Sequence, residues 1–571
     1  MPTPAGGGYN AAVKRQTILA GASIMMAAAF LSRILGWVRD RAIGHFWGTT
    51  GHTDTFWAAF GVPDLLYYLL AGGALSAALI PVLAGYLRER EDDESWRIAN
   101  TLVTVFALFA LVGIILILIF APTLVALVAP GFAANRGPAA VAECAGYVRI
   151  LAPMVFFTVL SALFTGILQS HRHFTAPAAG WLLYNVGIIA GASTGGIWFA
   201  SRYGAEAGLR VTCVGVVAGA VLLVGVQVPS LVARGFRYRP ALALSHPGVR
   251  EVVRLFVPYM GGLAFTQICL LWLPAFFGSF FDPGSVTSLR YANRLVVLPL
   301  GLFGVAISTA AFPAMAERIA GGEVDAFRRL FSGSMRAVIF FSVPCTALLI
   351  ALAGPILRLL WRSGKFGEGS VGAAEFCLIY YALSLIGLSA LQVLNRAFYS
   401  LKDARTPPLV GIGYTVIIVG LAVGLMGSRL RYAAIAAATS VGVTVGMLVM
   451  FGLLRRRLGG IDGRAIAASV ARILVASAVL AVVSFWASRL FGELLGVPTT
   501  HLAAAAPRTL AAGAGPAPPI GGVAVQVFAS MLAGAMAYLA ALKLMGAPEL
   551  ASFRDVLQSR GSAASQAAPL A

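Results

Sequence analysis

Residues 17–41 read TILAGASIMMAAAFLSRILGWVRDR. The segment 17–30 carries no charge, and then Arg33, Arg39, Asp40 and Arg41 arrive in quick succession. A helix needs roughly 20 predominantly apolar residues to cross about 30 Å of hydrocarbon. The uncharged run therefore reads as the start of a membrane span, and the charges lie where that span should still be in or near the bilayer.

The remainder of the 571 residues is 59% hydrophobic and 11% charged, with a mean hydropathy of +0.86. That composition excludes a soluble enzyme and fits an all-α polytopic membrane protein. Fourteen spans are expected, at about 18–38, 54–86, 100–128, 145–169, 176–200, 208–232, 252–281, 286–315, 334–360, 373–400, 408–427, 432–454, 466–488 and 522–545. Residues 1–17 lack the short apolar core and small-residue cleavage site of a secretory signal. An even number of spans puts both termini on one side. Dividing the 42 Lys and Arg among alternate loops gives 25 on the side of the termini and 12 on the other, with five inside spans. The positive-inside rule then places both termini in the cytoplasm. The net charge of +20 accordingly reads as topology and anionic-lipid contact, not as nucleic-acid binding.

The second span ends GALSAALIPVLAGYL and the eighth VAISTAAFPAMAERI. Aligning Pro81 with Pro313 also superposes Gly72 on Gly304, Ser76 on Ser308 and Ala84 on Ala316. Small residues recur by chance in membrane helices, but the alignment also fits a six-span internal repeat whose two copies share orientation. The expected organisation is a cytoplasmic segment 1–17, a six-helix bundle 18–232, a cytoplasmic linker 233–251 and a second bundle 252–454. Two additional helices within 455–545 follow, joined by a flexible extracytoplasmic loop 491–521 rich in Ala, Pro and Gly, and then a cytoplasmic tail 546–571.

Ionisable residues inside spans are costly and usually face a polar cavity or a partner. Arg290 and Arg294 are four residues apart and share a helix face. Arg33 shares one with Asp40, whereas Arg39 lies about 120° away at 3.6 residues per turn. Both arginines face one cavity only if the helix bends, and Gly36 is the expected hinge. Guanidinium groups hold phosphate oxygens bidentately, so convergent arginines suit an anionic, phosphorylated substrate. The residues alone leave a second reading open, in which Arg33 and Arg39 snorkel to the interface or pair with Asp40 and Asp54. Arg149 and Arg396 are expected to anchor at interfaces, and Glu375 and Asp282 to be exposed at span ends. No paired carboxylates, GxSxG, phosphate loop or His and Cys cluster is present. Neither catalytic residues, nor a metal, nor a cofactor is expected, and transport is favoured over chemistry. The five cysteines, Cys144, Cys213, Cys269, Cys345 and Cys377, read as small core residues.

The blocks SRILGWVRDRAIGHFWG, TDTFWAAFGVPDLLYYLLAGGALSAALIPVLAGYL, SLRYANRLVVLPLGLFGVAISTAAFP, SGKF and AFYSLKDARTP, in that order, resemble the MurJ/MviN family of bacterial lipid II flippases over roughly residues 15–545. The resemblance implies two facing six-helix bundles plus two C-terminal helices lining a groove for a lipid tail. It also implies movement of the undecaprenyl-diphosphate-linked peptidoglycan precursor, lipid II, to the outer leaflet of the bacterial inner membrane. The implied partners are lipid II, membrane lipids and the cell-wall synthesis machinery. Arg33 and Arg39 match the family's cavity arginines, with Ser32 in the same motif, Asp40 and Asp54 at its acidic positions and Arg294 in the second bundle. The family commonly has PNLLRR and AEGA where this chain has PDLLYY and AGGA. Asp64, Tyr67 and Gly72 thus replace asparagine, arginine and glutamate, and Asn293 stands where aspartate is frequent. Arg290, one turn before Arg294, is positioned to supply the cation missing at Tyr67. Another polyprenyl-linked oligosaccharide is the alternative cargo.

Overall fold

The computed structural model describes residues 28–550 except 29, 72–73, 90–91, 268–271, 499–517 and 549. The expected segment 1–17, the start of the first span, Gly72, Cys269, most of the loop 491–521 and nearly all of the tail lie outside the described residues. Helices dominate, and among the described residues the only β pairing is a single bridge between Ser363 and Phe366.

Ten helical stretches of the described residues are long and apolar enough to cross a membrane. One of them, Thr175–Val232, covers both expected spans 176–200 and 208–232. The spans at 18–38 and 252–281 run into residues outside the description, and the described part of the span at 54–86 falls into α2 (Gly51–Leu70), followed by a turn at Ala71, and α3 (Ala74–Arg88).

The chain divides into two compact units, residues 1–286 with 363–366, and residues 287–362 with 367–571. In the first, helix α1 covers residues 30–47. It is followed by α2, α3, α4 (Asp92–Val128), α5 (Pro138–Leu151), α6 (Met154–Ser170), α7 (Thr175–Thr194), α8 (Ala200–Gly225), the short α9 (Val228–Val232), α10 (Pro247–Gln267) and α11 (Leu273–Gly278). Its core gathers Phe56, Leu79, Leu102, Tyr147, Leu163 and Leu223.

Much apolar surface stays outside this core. Leu108, Phe109, Ile115 and Ile119 of α4 are 49–62% exposed, an arrangement that water would penalise and lipid tails do not. Phe120 leaves helical geometry just before Pro122. Proline lacks an N–H for the carbonyl one turn back, here that of Leu118, and the Nε of Arg149 donates to that oxygen at 3.3 Å. Arg149 therefore has a local structural partner at the kink. Helices α7 and α8 meet through glycines: a Cβ at Gly191 would lie 2.6 Å from the Cα of Gly215. Only glycine allows backbones so close.

The second unit holds α12 (Ser285–Pro299), whose first two residues fall in the first unit, α13 (Ala306–Ala320), α14 (Val324–Ala351) and α15 (Ala353–Trp361). Then come α16 (Glu368–Ser400), α17 (Thr406–Leu425), α18 (Ala434–Arg457), α19 (Gly463–Leu495) and α20 (Ile520–Leu544). Gln526 of α20 is fully buried and donates to the carbonyl and hydroxyl of Ser488 on α19 at 2.9 and 3.2 Å. Tyr538 donates to the Phe340 carbonyl at 2.9 Å, tying α20 to α14. Glu375, expected at an exposed span end, is instead 6% exposed. It lies two turns inside α16, which begins at Glu368 and not at the expected 373. Arg396 stacks over Phe312, 5.5 Å from the ring centre.

The turn between α16 and α17 is fastened by Asp403. Its carboxylate accepts the Thr406 and Arg405 N–H groups at 3.0 and 3.1 Å, the Thr406 hydroxyl at 2.7 Å, and the Arg457 guanidinium. Burial pushes this carboxyl up, but the hydrogen bonds outweigh it and lower its pKa to about 2. A carboxyl depressed on folding stabilises above its unfolded pKa, near 4, and loses that contribution as pH falls toward 2. Between pH 5 and pH 2 the wild-type chain is therefore expected to lose more thermal stability in detergent than Asp403→Asn does. Parallel losses in the two proteins would refute this role.

Candidate substrate-binding site

Helix α1 is continuous from residue 30 to 47, running through Gly36 without interruption. Gly36 is buried, and no break in the helix accompanies it. Arg33 is exposed, while Arg39 and Asp40 have side chains only 15% and 8% exposed. Arg39 donates to a single oxygen of Asp40 through Nε at 2.9 Å and Nη2 at 2.8 Å. Its Nη1 donates to Oδ1 of Asn185 on α7 at 3.3 Å. The Asn185 amide in turn donates to the Trp181 carbonyl at 2.9 Å and the Ser32 hydroxyl at 3.4 Å. Ser32, Arg39, Asp40 and Asn185 thus form one polar network across α1 and α7. A buried charge needs this kind of support, because an ion removed from water is stable only when paired and hydrogen-bonded.

Asn185 was absent from the residues expected in the site. Its signal was a lone amide in the otherwise apolar run WLLYNVGIIAG at 181–191; such groups in membrane helices usually bond across helices.

Asp54 is brought to a different cation. It is fully buried and accepts Nη2 of Arg136 at 2.8 Å and the Gly284 N–H at 2.7 Å. The same Nη2 reaches the carbonyls of Phe281 and Asp282 at 3.3 and 3.2 Å, and the guanidinium lies over the Phe132 ring at 4.8 Å. Gly284 has φ +97°, and a Cβ there would meet the Thr49 carbonyl oxygen at 2.5 Å, so the position admits only glycine. Thr50 caps α2 by accepting the Thr53 N–H at 3.3 Å. Within the same unit the Lys365 N–H of the SGKF segment donates to the His45 carbonyl at 2.8 Å.

Asp64 and Tyr67 are half-buried on α2, with the Tyr67 ring 5.2 Å from that of Tyr68. In the second unit Arg290 and Asn293 are half-buried and Arg294 is exposed, all on α12. Tyr291 between them packs edge-on against Trp361 at 5.1 Å. Among the described residues no group of His, Cys, Asp and Glu has the arrangement of a metal site.

A network of this composition offers guanidinium donors to an oxyanion, with neutral Asn185 orienting one of them and Asp40 balancing its charge. Comparison with known proteins gives the arrangement a family. Residues 43–504 match the family model described as lipid II flippase MurJ. A relative from Vibrio cholerae, named "Probable lipid II flippase MurJ", is 30% identical over 454 residues, covering 78% of this chain and 84% of its own. The protein from Burkholderia cenocepacia named lipid II flippase MurJ is 28% identical, covering 75% and 82%. Among solved structures, lipid II flippase MurJ in an inward closed conformation superposes with a TM-score of 0.71 at 21% identity, over 93% of this chain and 99% of that one. An inward-facing multidrug transporter of the MATE family superposes at 0.60 with 14% identity, over 77% and 98%. These two share the fold; the family model, spanning most of the sequence, carries the assignment further, and the chain belongs to the lipid II flippase MurJ family.

Proposed function

We propose that this chain is a lipid II flippase and not an enzyme. It carries undecaprenyl-diphosphate-linked disaccharide-pentapeptide from the cytoplasmic to the outer leaflet of the bacterial inner membrane by alternating access, with both termini cytoplasmic. Arg33, Arg39, Arg290 and Arg294 are the guanidinium groups that engage the diphosphate during the crossing. The observation that carries this reading is Arg39. Its charge is retained at low exposure among apolar helices and is oriented by Asp40 and Asn185, in a chain whose relatives bear the flippase name.

The chemistry follows from what each group can exchange. Asp40 offers Arg39 one carboxylate oxygen, whereas a diphosphate offers several charged oxygens and engages the exposed Arg33 as well. Binding neutralises repulsion among the arginines and so favours closure. It drives the change only because the closed state binds the headgroup more tightly than the open one. The inside-negative potential resets the empty, cationic carrier, at about 2.3 kcal/mol per charge per 100 mV.

To test this, the resident lipid II flippase of a bacterium is depleted, this chain is expressed, and outward-facing lipid II is measured by enzymatic cleavage from outside. Restored cleavage is expected. Failure with folded protein in the membrane would overturn the lipid II assignment and favour another polyprenyl-linked oligosaccharide. In the same assay Arg290→Ala is expected to impair flipping about as severely as Arg294→Ala, because Arg290 supplies the charge absent at Tyr67. An Arg290→Ala protein that flips normally beside an inactive Arg294→Ala protein would end the compensation idea.

A further inference from the structure

Away from the Arg39 network, the first unit carries a pocket of about 590 Å³ that is open to its surroundings. It is walled by His52 and Thr55 of α2, Arg136, Glu143 of α5, and Glu206 and Arg210 of α8. Its size suits a small ligand, and its charges alternate in sign. His52 Nδ1 lies 2.8 Å from Oε1 of Glu143, which also accepts the Tyr147 hydroxyl at 2.7 Å. Arg210 donates to Glu206 at 2.7 Å, both side chains being about half exposed.

Arg136 is the informative member. Its side chain is 11% exposed, and only Nη2 is engaged, by Asp54 and two carbonyls. Nε and Nη1 are buried and have no acceptor among the described residues. Buried guanidinium donors are normally satisfied, so Arg136, a lining residue of this pocket, keeps two donors unspent just beneath its surface. A simple anion is not the best match, because Glu143, Glu206 and Asp54 offset Arg136 and Arg210. A ligand carrying both signs places its carboxylate toward Arg136 and Arg210 and its ammonium toward Glu143 and Glu206. The small side chains of Ala139 and Ala140 leave room between them.

We propose that this cavity binds a zwitterionic peptide, with free ammonium and carboxylate groups, from the extracytoplasmic side. The sidedness rests on the topology proposed above. Two sources share this chemistry: the peptide of a headgroup that has just crossed, and free peptides or amino acids outside the cell.

The purified chain in lipid nanodiscs is titrated by calorimetry with trialanine, trialanine amide, N-acetyl-trialanine and the soluble stem pentapeptide of the precursor. Capping either end is expected to weaken binding at least about tenfold, the scale of a lost charge-assisted hydrogen bond. Arg136→Lys, which retains a charge opposite Asp54 but not the spare planar donors, is expected to do the same. Arg210→Gln, at an exposed pair, keeps the test open if Arg136→Lys does not fold. Tighter binding of the stem pentapeptide than of trialanine would support the transported headgroup as source, and equal binding would support free solutes. Absence of saturable binding, or equal affinity for capped and free peptides, would overturn the proposal. Sidedness is read separately by labelling Ala139→Cys in intact cells with a membrane-impermeant maleimide. Outside labelling is expected, and labelling only from the cytoplasmic face would overturn the extracytoplasmic assignment. A chain that restores outward lipid II yet binds no peptide would refute this inference and leave the flippase reading standing.

Discussion

Arg39→Ala is expected to cut lipid II delivery to the outer face by about 100-fold or more, with the protein still present in the membrane. A hydrogen bond to a charged group contributes about 1.5–3 kcal/mol, and a guanidinium that holds a phosphate bidentately makes two. Each 1.4 kcal/mol is tenfold, so losing both in the rate-determining state amounts to two orders of magnitude or more. The substitution also leaves Asp40, 5% exposed, as a carboxylate without the guanidinium that now balances it, which repels an incoming diphosphate. Arg39→Lys preserves the charge but not the planar fork and should fall between. Asn185→Leu removes the acceptor that orients Nη1 together with the amide's bonds to Trp181 and Ser32, and a loss of about tenfold is expected, the scale of one hydrogen bond to a charged group. The ordering Arg39→Ala below Arg39→Lys, with Asn185→Leu mildest, is read by cleaving lipid II from outside in depleted cells at matched protein levels. Wild-type flipping by Arg39→Ala would remove this arginine from the diphosphate site.

The all-helical membrane fold was legible because each apolar run is long enough to span on its own, whatever it packs against. Which polar groups meet was much less legible, since that depends on contacts distant in sequence. Arg39 with Asp40 was readable as a neighbouring pair, and Asp40 does accept from it. Asn185, 146 positions away, carried only the faint signal of one amide in an apolar helix. Asp54 was grouped with the arginines of α1 by its place in a motif, but its carboxylate accepts from Arg136, 82 positions on. Arg136 itself lies between two expected spans with no motif to single it out. Helix ends failed for a different reason. Residues 368–372 and 489–495 extend α16 and α19 beyond the expected apolar windows, because hydrophobicity marks the lipid-facing length and not where helical hydrogen bonding stops. That extension puts Glu375 inside α16, buried, where apolar length alone had placed it at an exposed end.

Asp54→Asn is expected to be the most destabilising single substitution among the proposed site residues. Asp54 is fully buried against a side chain only 11% exposed. Breaking a buried ion pair by neutralising one partner costs about 3–5 kcal/mol, because the other charge is left uncompensated. Asparagine can still accept the Gly284 N–H, so the loss isolates the charge and not the backbone contact. Arg136 has no reserve, since its Nε and Nη1 already lack acceptors among the described residues. Removing both charges in Asp54→Asn/Arg136→Met should recover most of the stability, as replacement of whole buried pairs by apolar groups often does. The apparent melting temperature in detergent is the readout, with outward lipid II measured alongside. A marked fall in Asp54→Asn that the double variant reverses identifies Asp54 as the structural partner of Arg136. If Asp54→Asn instead melts like the wild type and fails to flip, the carboxylate acts on the substrate or on a step of the cycle, and its pairing with Arg136 is not what the chain depends on.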